Sequence, residues 1–125
     1  MVDGSEESKK ALLECLKIVD KSKDHVECLS CDTDGGASKL KTTYEAILAG
    51  AKVVNSKFTI LSCAGGTVPE VICKHFTKED TPDYDFVVLG SKGAGVYKKP
   101  GTHYLGTVAE KVITTARTNL IVVVK

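Results

Sequence analysis

Apolar residues along this chain fall into two spacings that alternate from one end to the other. Between Glu6 and Val19, Leu12, Leu13, Leu16, Ile18 and Val19 recur at helical intervals, with Cys15 on the side of Leu12 and Leu16. Ser5 suits the N-cap, Glu6 and Glu7 suit the positive end of the helix dipole, and Lys21 and Lys23 the other end. His25–Ser30 alternates over a short run and predicts a strand, and Asp32–Gly36 is turn chemistry. A second helical stripe, Leu40, Tyr44, Ile47, Leu48 and Ala51, predicts a helix over Ser38–Val54. Phe58–Cys63 reads as a strand broken by Gly65-Gly66. Thr67-Val68-Pro69-Glu70 is a capping box with proline in the first turn; it predicts a helix running to about Thr77 that buries Val71, Ile72 and Phe76. After the polar linker Asp80–Asp85 come a strand at Phe86–Leu89, a helix at Gly106–Thr118 and a strand at Leu120–Val124.

Nearly continuous apolar strands that alternate with helices are the mark of a parallel sheet covered on both faces and joined by right-handed crossovers. The pattern therefore predicts one α/β domain over residues 1–125, a doubly wound open sheet. One element is nearly missing. Only Met1-Val2 precedes the turn Asp3-Gly4-Ser5, so the strand that should feed the first helix is truncated. Loss of that strand would leave backbone groups on both neighbours unpaired, at about 1–3 kcal/mol for each buried group. A shortened or mis-started chain, a compensating rearrangement, or strand exchange between subunits would each account for it. A well-paired central strand within residues 1–125 would remove the expectation.

Composition narrows the class without naming a function. The chain is 42% hydrophobic and 26% charged, with a formal net charge of +1. That balance points neither to nucleic acid nor to an acidic scaffold. The sequence holds no run of apolar residues long enough for a membrane span, and the polar start MVDGSEESKK does not resemble a signal peptide. The reading is an intracellular, cytoplasmic protein. Five cysteines, Cys15, Cys28, Cys31, Cys63 and Cys73, then favour reduced thiols over a disulfide framework.

The segment Phe86–Val124 holds the densest candidate chemistry. A strand stops at Gly90, a loop with Gly93, Gly95 and Gly101 follows, and Gly106-Thr107 opens a helix. Glycines at Gly90, Gly93 and Gly95 let a backbone approach phosphate, and Gly106-Thr107 offers N–H groups and a hydroxyl at a helix start. The same glycines would also serve a tight exit from a strand. Lys92, Lys98, Lys99 and His103 could neutralise phosphates or simply form a solvated basic loop. No Walker motif is present.

Four stretches, taken in order, resemble the universal stress protein family: Val2-Asp3-Gly4-Ser5-Glu6-Glu7-Ser8, Gly65-Gly66-Thr67-Val68-Pro69-Glu70, Asp85 through Gly95, and Gly106-Thr107-Val108-Ala109-Glu110-Lys111-Val112, with Leu120–Val124 as the close. The resemblance implies an adenine nucleotide alpha hydrolase-like sheet of order 3-2-1-4-5, the truncated strand at Met1-Val2 being number 1. It implies a stress-response protein that often forms a homodimer through its last strand. In one branch it binds ATP or AMP, with Mg²⁺ as a possible companion. That branch carries Gly-x2-Gly-x9-Gly followed by Ser or Thr. Here Gly90-x2-Gly93 and Gly106-Thr107 match, but twelve residues rather than nine lie between Gly93 and Gly106. The resemblance also places Asp3 beside the nucleotide; its other role would be to cap the first helix. The expected contacts are thus Asp3, Gly90, Gly93, Gly95, Gly106 and Thr107, with Lys92, Lys98, Lys99 and His103 near phosphate.

The remaining chemistry is thinner. Cys28-Leu29-Ser30-Cys31, with His25 before it, could be half a zinc site or a redox pair, but no second pair has the spacing to complete four ligands. Redox pairs of this spacing begin helices, whereas this one falls on a strand, so the expectation is structural thiols and no metal. His75 reads as a surface residue. No catalytic constellation or water-activating base stands out, so ATP hydrolysis is at most weak. Two other functions compete. One is a dimeric interaction or regulatory protein of the same fold that binds no nucleotide, favoured by the longer loop. The other is an adenylating enzyme, for which the sequence offers no substrate domain.

Overall fold

The computed structural model describes residues 1–81, 83–92 and 105–125, with Leu120 described by its main chain only. Helices and strands alternate: α1 (Glu6–Ile18), β1 (His25–Asp32), α2 (Ala37–Gly50), β2 (Asn55–Ser62), α3 (Val68–Thr77), β3 (Tyr84–Gly90), α4 (Thr107–Thr115) and β4 (Thr118–Val124). Local chemistry sets the helix ends. The Ser8 N–H donates to the Ser5 side chain at the start of α1. At α3 the Thr67 N–H donates to the Glu70 carboxylate while the Glu70 N–H donates to the Thr67 hydroxyl, the reciprocal pair read from the sequence. Helix α2 stops four residues short of the expected Val54. Lys52 turns left-handed at φ 61°, and the Val53 N–H bonds back to the Leu48 carbonyl, the geometry of a Schellman stop.

Among the described residues, four strands form two parallel pairs. β1 pairs with β2 in unbroken register from His25 opposite Asn55 to Asp32 opposite Ser62. β3 pairs with β4 from Tyr84 opposite Thr118 to Gly90 opposite Val124. Among the described residues the two pairs are not hydrogen-bonded into the single doubly wound sheet that the sequence predicted. Met1 and Val2 reach both pairs: the Val2 N–H donates to the Leu29 carbonyl (2.9 Å) on β1, and the Met1 amino group donates to the Val88 carbonyl (2.8 Å) on β3. Two residues join the sheets at one end and cannot extend along the seam.

Both faces are covered. Val26 and Cys28 of β1 meet Leu12, Tyr44 and Leu48 of α1 and α2 on one face. Leu29, Val87 and Leu89 meet Ile72, Phe76, Ala109 and Val112 of α3 and α4 on the other. The stripe read for α2 holds, with Tyr44 and Leu48 fully buried. The stripe read for α1 narrows, because Leu13 and Ile18 are 53% and 47% exposed. In α3, Ile72 and Phe76 are buried while Val71 is half-buried. Among the described residues, no helix is long and apolar enough to cross a membrane.

Candidate functional site

Three structural elements converge where β3 ends. Helix α1 approaches so closely that a Cβ on Gly90 would lie 2.8 Å from Glu7 Cβ and 3.0 Å from its carbonyl carbon. Glycine at position 90 is therefore required by helix packing, whatever else it does. From the other face comes α4. Its N-cap Gly106 donates its N–H to the Ser91 carbonyl (2.8 Å), and the Ser91 N–H donates to the Val124 carbonyl (2.8 Å). The strand exit and the start of α4 are thereby tied together, and Ser91 is buried.

The first turns of both helices thus flank the end of β3, and each presents the positive end of a helix dipole. They are finished differently. Ser5 caps α1, whereas Gly106 has no side chain and leaves α4 without a side-chain cap among the described residues. Thr107, the first helical residue, is exposed and adds a hydroxyl. Asp3 sits on the α1 side. Its Oδ1 accepts from the Ser5 N–H (3.0 Å) and the Ser5 hydroxyl (2.6 Å), which shapes the turn before the helix rather than capping it. Gly4 is held at φ 86° in that turn, the left-handed region that favours glycine. Ser8 then links α1 to α2 by a hydrogen bond to the Tyr44 hydroxyl (2.8 Å), and burial raises the Tyr44 pKa.

Of the expected nucleotide contacts, Asp3, Gly90, Lys92, Gly106 and Thr107 belong to this edge. Gly93, Gly95, Lys98, Lys99 and His103 lie outside the described residues. A separate groove of about 250 Å³ runs along β2 and α3, lined by residues such as Ser62, Gly66, Glu70 and Lys74, and it includes none of the expected contacts.

Two groupings were not visible in the sequence. His75 is half-buried rather than on the surface. Its Nε2 is 3.0 Å from the Tyr84 hydroxyl, and its ring packs edge-on to Phe76. The Tyr84 hydroxyl donates to Glu27 (3.0 Å), whose other oxygen accepts from Thr59 (2.5 Å). This chain crosses from β2 through β1 and β3 to α3 at the amino ends of the strands. Burial lowers the His75 pKa; burial, and then the Glu27 charge, raise that of Tyr84. The second grouping concerns the cysteines, all five of which are free thiols. Alternation along β1 puts Cys28 on the α1/α2 face and Cys31 on the α3/α4 face, so they form no pair. Cys31 instead has Cys63, just past β2, as its neighbouring thiol. Burial first, and then that neighbour, push the Cys31 thiol up to about 12. Parallel register was the missing signal: it aligns Cys31 with Leu61, two residues before Cys63. Among the described residues, no group of three or more His, Cys, Asp or Glu side chains is arranged to hold a metal ion.

No family model, curated protein or solved structure matches this chain.

Proposed function

We propose that this chain is a nucleotide-binding protein of the universal stress protein type, with ATP or AMP held at the carboxyl end of β3. The observation that supports this reading is the start of α4, which has no side-chain cap and is fixed against the exit of β3 by the Gly106 to Ser91 hydrogen bond. Such a helix start suits an anion, because its first N–H groups lack intrahelical partners and the dipole favours negative charge. Gly106 and Thr107 would hold phosphate there, with Asp3 on the opposite side of the strand exit. The nucleotide supplies the phosphates; the chain supplies N–H donors and the Thr107 hydroxyl. The stress-response role rests on the sequence resemblance. The sheet order 3-2-1-4-5 belongs to the same reading and is supported by Met1-Val2 bonding to both β1 and β3.

Calorimetry with ATP and Mg²⁺ on the wild type and Thr107→Glu tests the site. A carboxylate in the first turn of α4 favours the helix but repels phosphate. Affinity is expected to fall at least about tenfold, roughly 1.4 kcal/mol, while the melting temperature holds or rises. No binding by the wild type at millimolar ATP would defeat the proposal.

We further propose a homodimer through Leu120–Val124. β4 pairs with β3 on one side only among the described residues, and Ile121 to Val124 are half-buried apolar side chains that a second copy could cover. Light scattering at micromolar concentration should give twice the chain mass; a monomer mass removes the claim.

A further inference from the structure

A second edge of the molecule stands apart from the nucleotide reading. β2 pairs with β1 on one side only among the described residues, so main-chain N–H and C=O groups line its other side. The groove of about 250 Å³ runs beside it, with α3 as its other wall. Ile72 and Phe76 turn one side of α3 into the core, while Val71, Lys74, His75 and Lys78 line the groove. The carboxyl end of the groove is low-walled, because Ser62 and the turn Ala64-Gly65-Gly66 are exposed and carry small side chains or none.

The groove is cationic. Lys74 and Lys78 are exposed on the α3 side, and Lys57 of β2 shares the strand face of Thr59 and Leu61, the face toward α3. None of the three lysines makes an ion pair among the described residues. Glu70 is the sole carboxylate in the groove wall among the described residues, and it already accepts from the Thr67 N–H (3.1 Å) at the start of α3. Three such lysines keep this edge from pairing with a second copy of itself, since like charges would meet. The same charges leave it open to a strand of opposite sign.

We propose that β2 and α3 form a docking groove for an acidic, extended segment of another protein, which adds as a strand to the free edge of β2. The spacing fits this guest. Lys74 and Lys78 are one helical turn apart, about 6 Å along the axis. Alternate side chains of an extended strand are about 6.6 Å apart. Acidic residues at every second position of the guest therefore meet both lysines from one face, while its main chain bonds to β2. A free small anion engages a lysine but leaves the edge of β2 unpaired.

The probe is a fluorescein-labelled hexapeptide of alternating threonine and glutamate, titrated with the full chain and followed by fluorescence polarisation. Binding is expected at millimolar concentration or below, and it should weaken as salt is raised. The same peptide with glutamine in place of glutamate should bind at least about tenfold more weakly, the combined effect of three exposed ion pairs. The glutamate peptide should lose as much on the Lys57→Gln, Lys74→Gln, Lys78→Gln triple variant, whose exposed substitutions leave the melting temperature near that of the wild type. Main-chain pairing has its own readout. The N–H groups of a strand point alternately toward and away from a given neighbour. N-methylation of the glutamates alone and of the threonines alone should therefore differ, one abolishing binding and the other sparing it. No binding by the wild type at millimolar peptide overturns the proposal. So does full affinity in the triple variant, or equal affinity for the two N-methylated peptides.

Discussion

The seam between the two sheets is closed by different chemistry at its two ends. At the carboxyl end it is held by main chain: Val2 to Leu29, Met1 to Val88, and Gly90 pressed against the first turn of α1. At the amino end it is held by side chains, with Thr59, Glu27, Tyr84 and His75 in one hydrogen-bonded row. A complete strand would pair with both neighbours along their whole length. In its place, the carboxyl end depends on close backbone approach and on the Met1 amino group, whose pKa burial lowers, and the amino end on hydrogen-bonded side chains.

The largest effect should come from crowding the backbone end. Gly90→Ala forces a Cβ into Glu7, where the nearest atoms belong to the helix itself rather than to a flexible tip. The expected loss is about 3 kcal/mol in denaturant unfolding, since overpacking of this kind shifts backbone. An unchanged midpoint would mean that α1 is free to lift from β3. Next comes the polar end. Tyr84→Phe removes the donor to Glu27 and the partner of His75, for an expected loss of about 2 kcal/mol. A neutral result would show that water replaces the hydroxyl and that the row adds nothing to holding the sheets together.

The smallest effect is a dependence on pH. Burial holds the His75 pKa below its ordinary value, so the unfolded chain takes up a proton before the folded one does. Stability is therefore full above the unfolded value, about 6.5, and falls as pH drops through it toward the folded value. Thermal melts between about pH 7.5 and 5.5 should show this decline in the wild type, and His75→Gln should flatten it. Equal slopes in the two proteins would place the dependence elsewhere.

The pattern of local signals explains what could be read beforehand. The α3 capping box, the Ser5 cap and the α2 stripe are short-range features, and each formed as the sequence implied. The same holds for the alternation of helices with parallel strands. The near-absence of a strand before Asp3 was also plain, and Met1 and Val2 bond to both β1 and β3. Leu13 and Ile18 misled because helical spacing counts apolar residues without saying which face meets the sheet. His75 with Tyr84, and Cys31 with Cys63, join residues from different elements, and only tertiary register brings them together. At the candidate site, the role of Gly90 against Glu7 was equally hidden, since a glycine looks alike whether it faces a helix or a phosphate.

The two hydrogen bonds at Ser91 bear on how this segment tolerates change. One brings residues 91 and 106 together, and the other ties the exit of β3 to the end of β4. The end of β3, the start of α4 and the end of β4 thus share one main-chain clamp, so a side-chain change at position 91 that keeps its N–H and carbonyl in place leaves the spacing of the three ends unchanged.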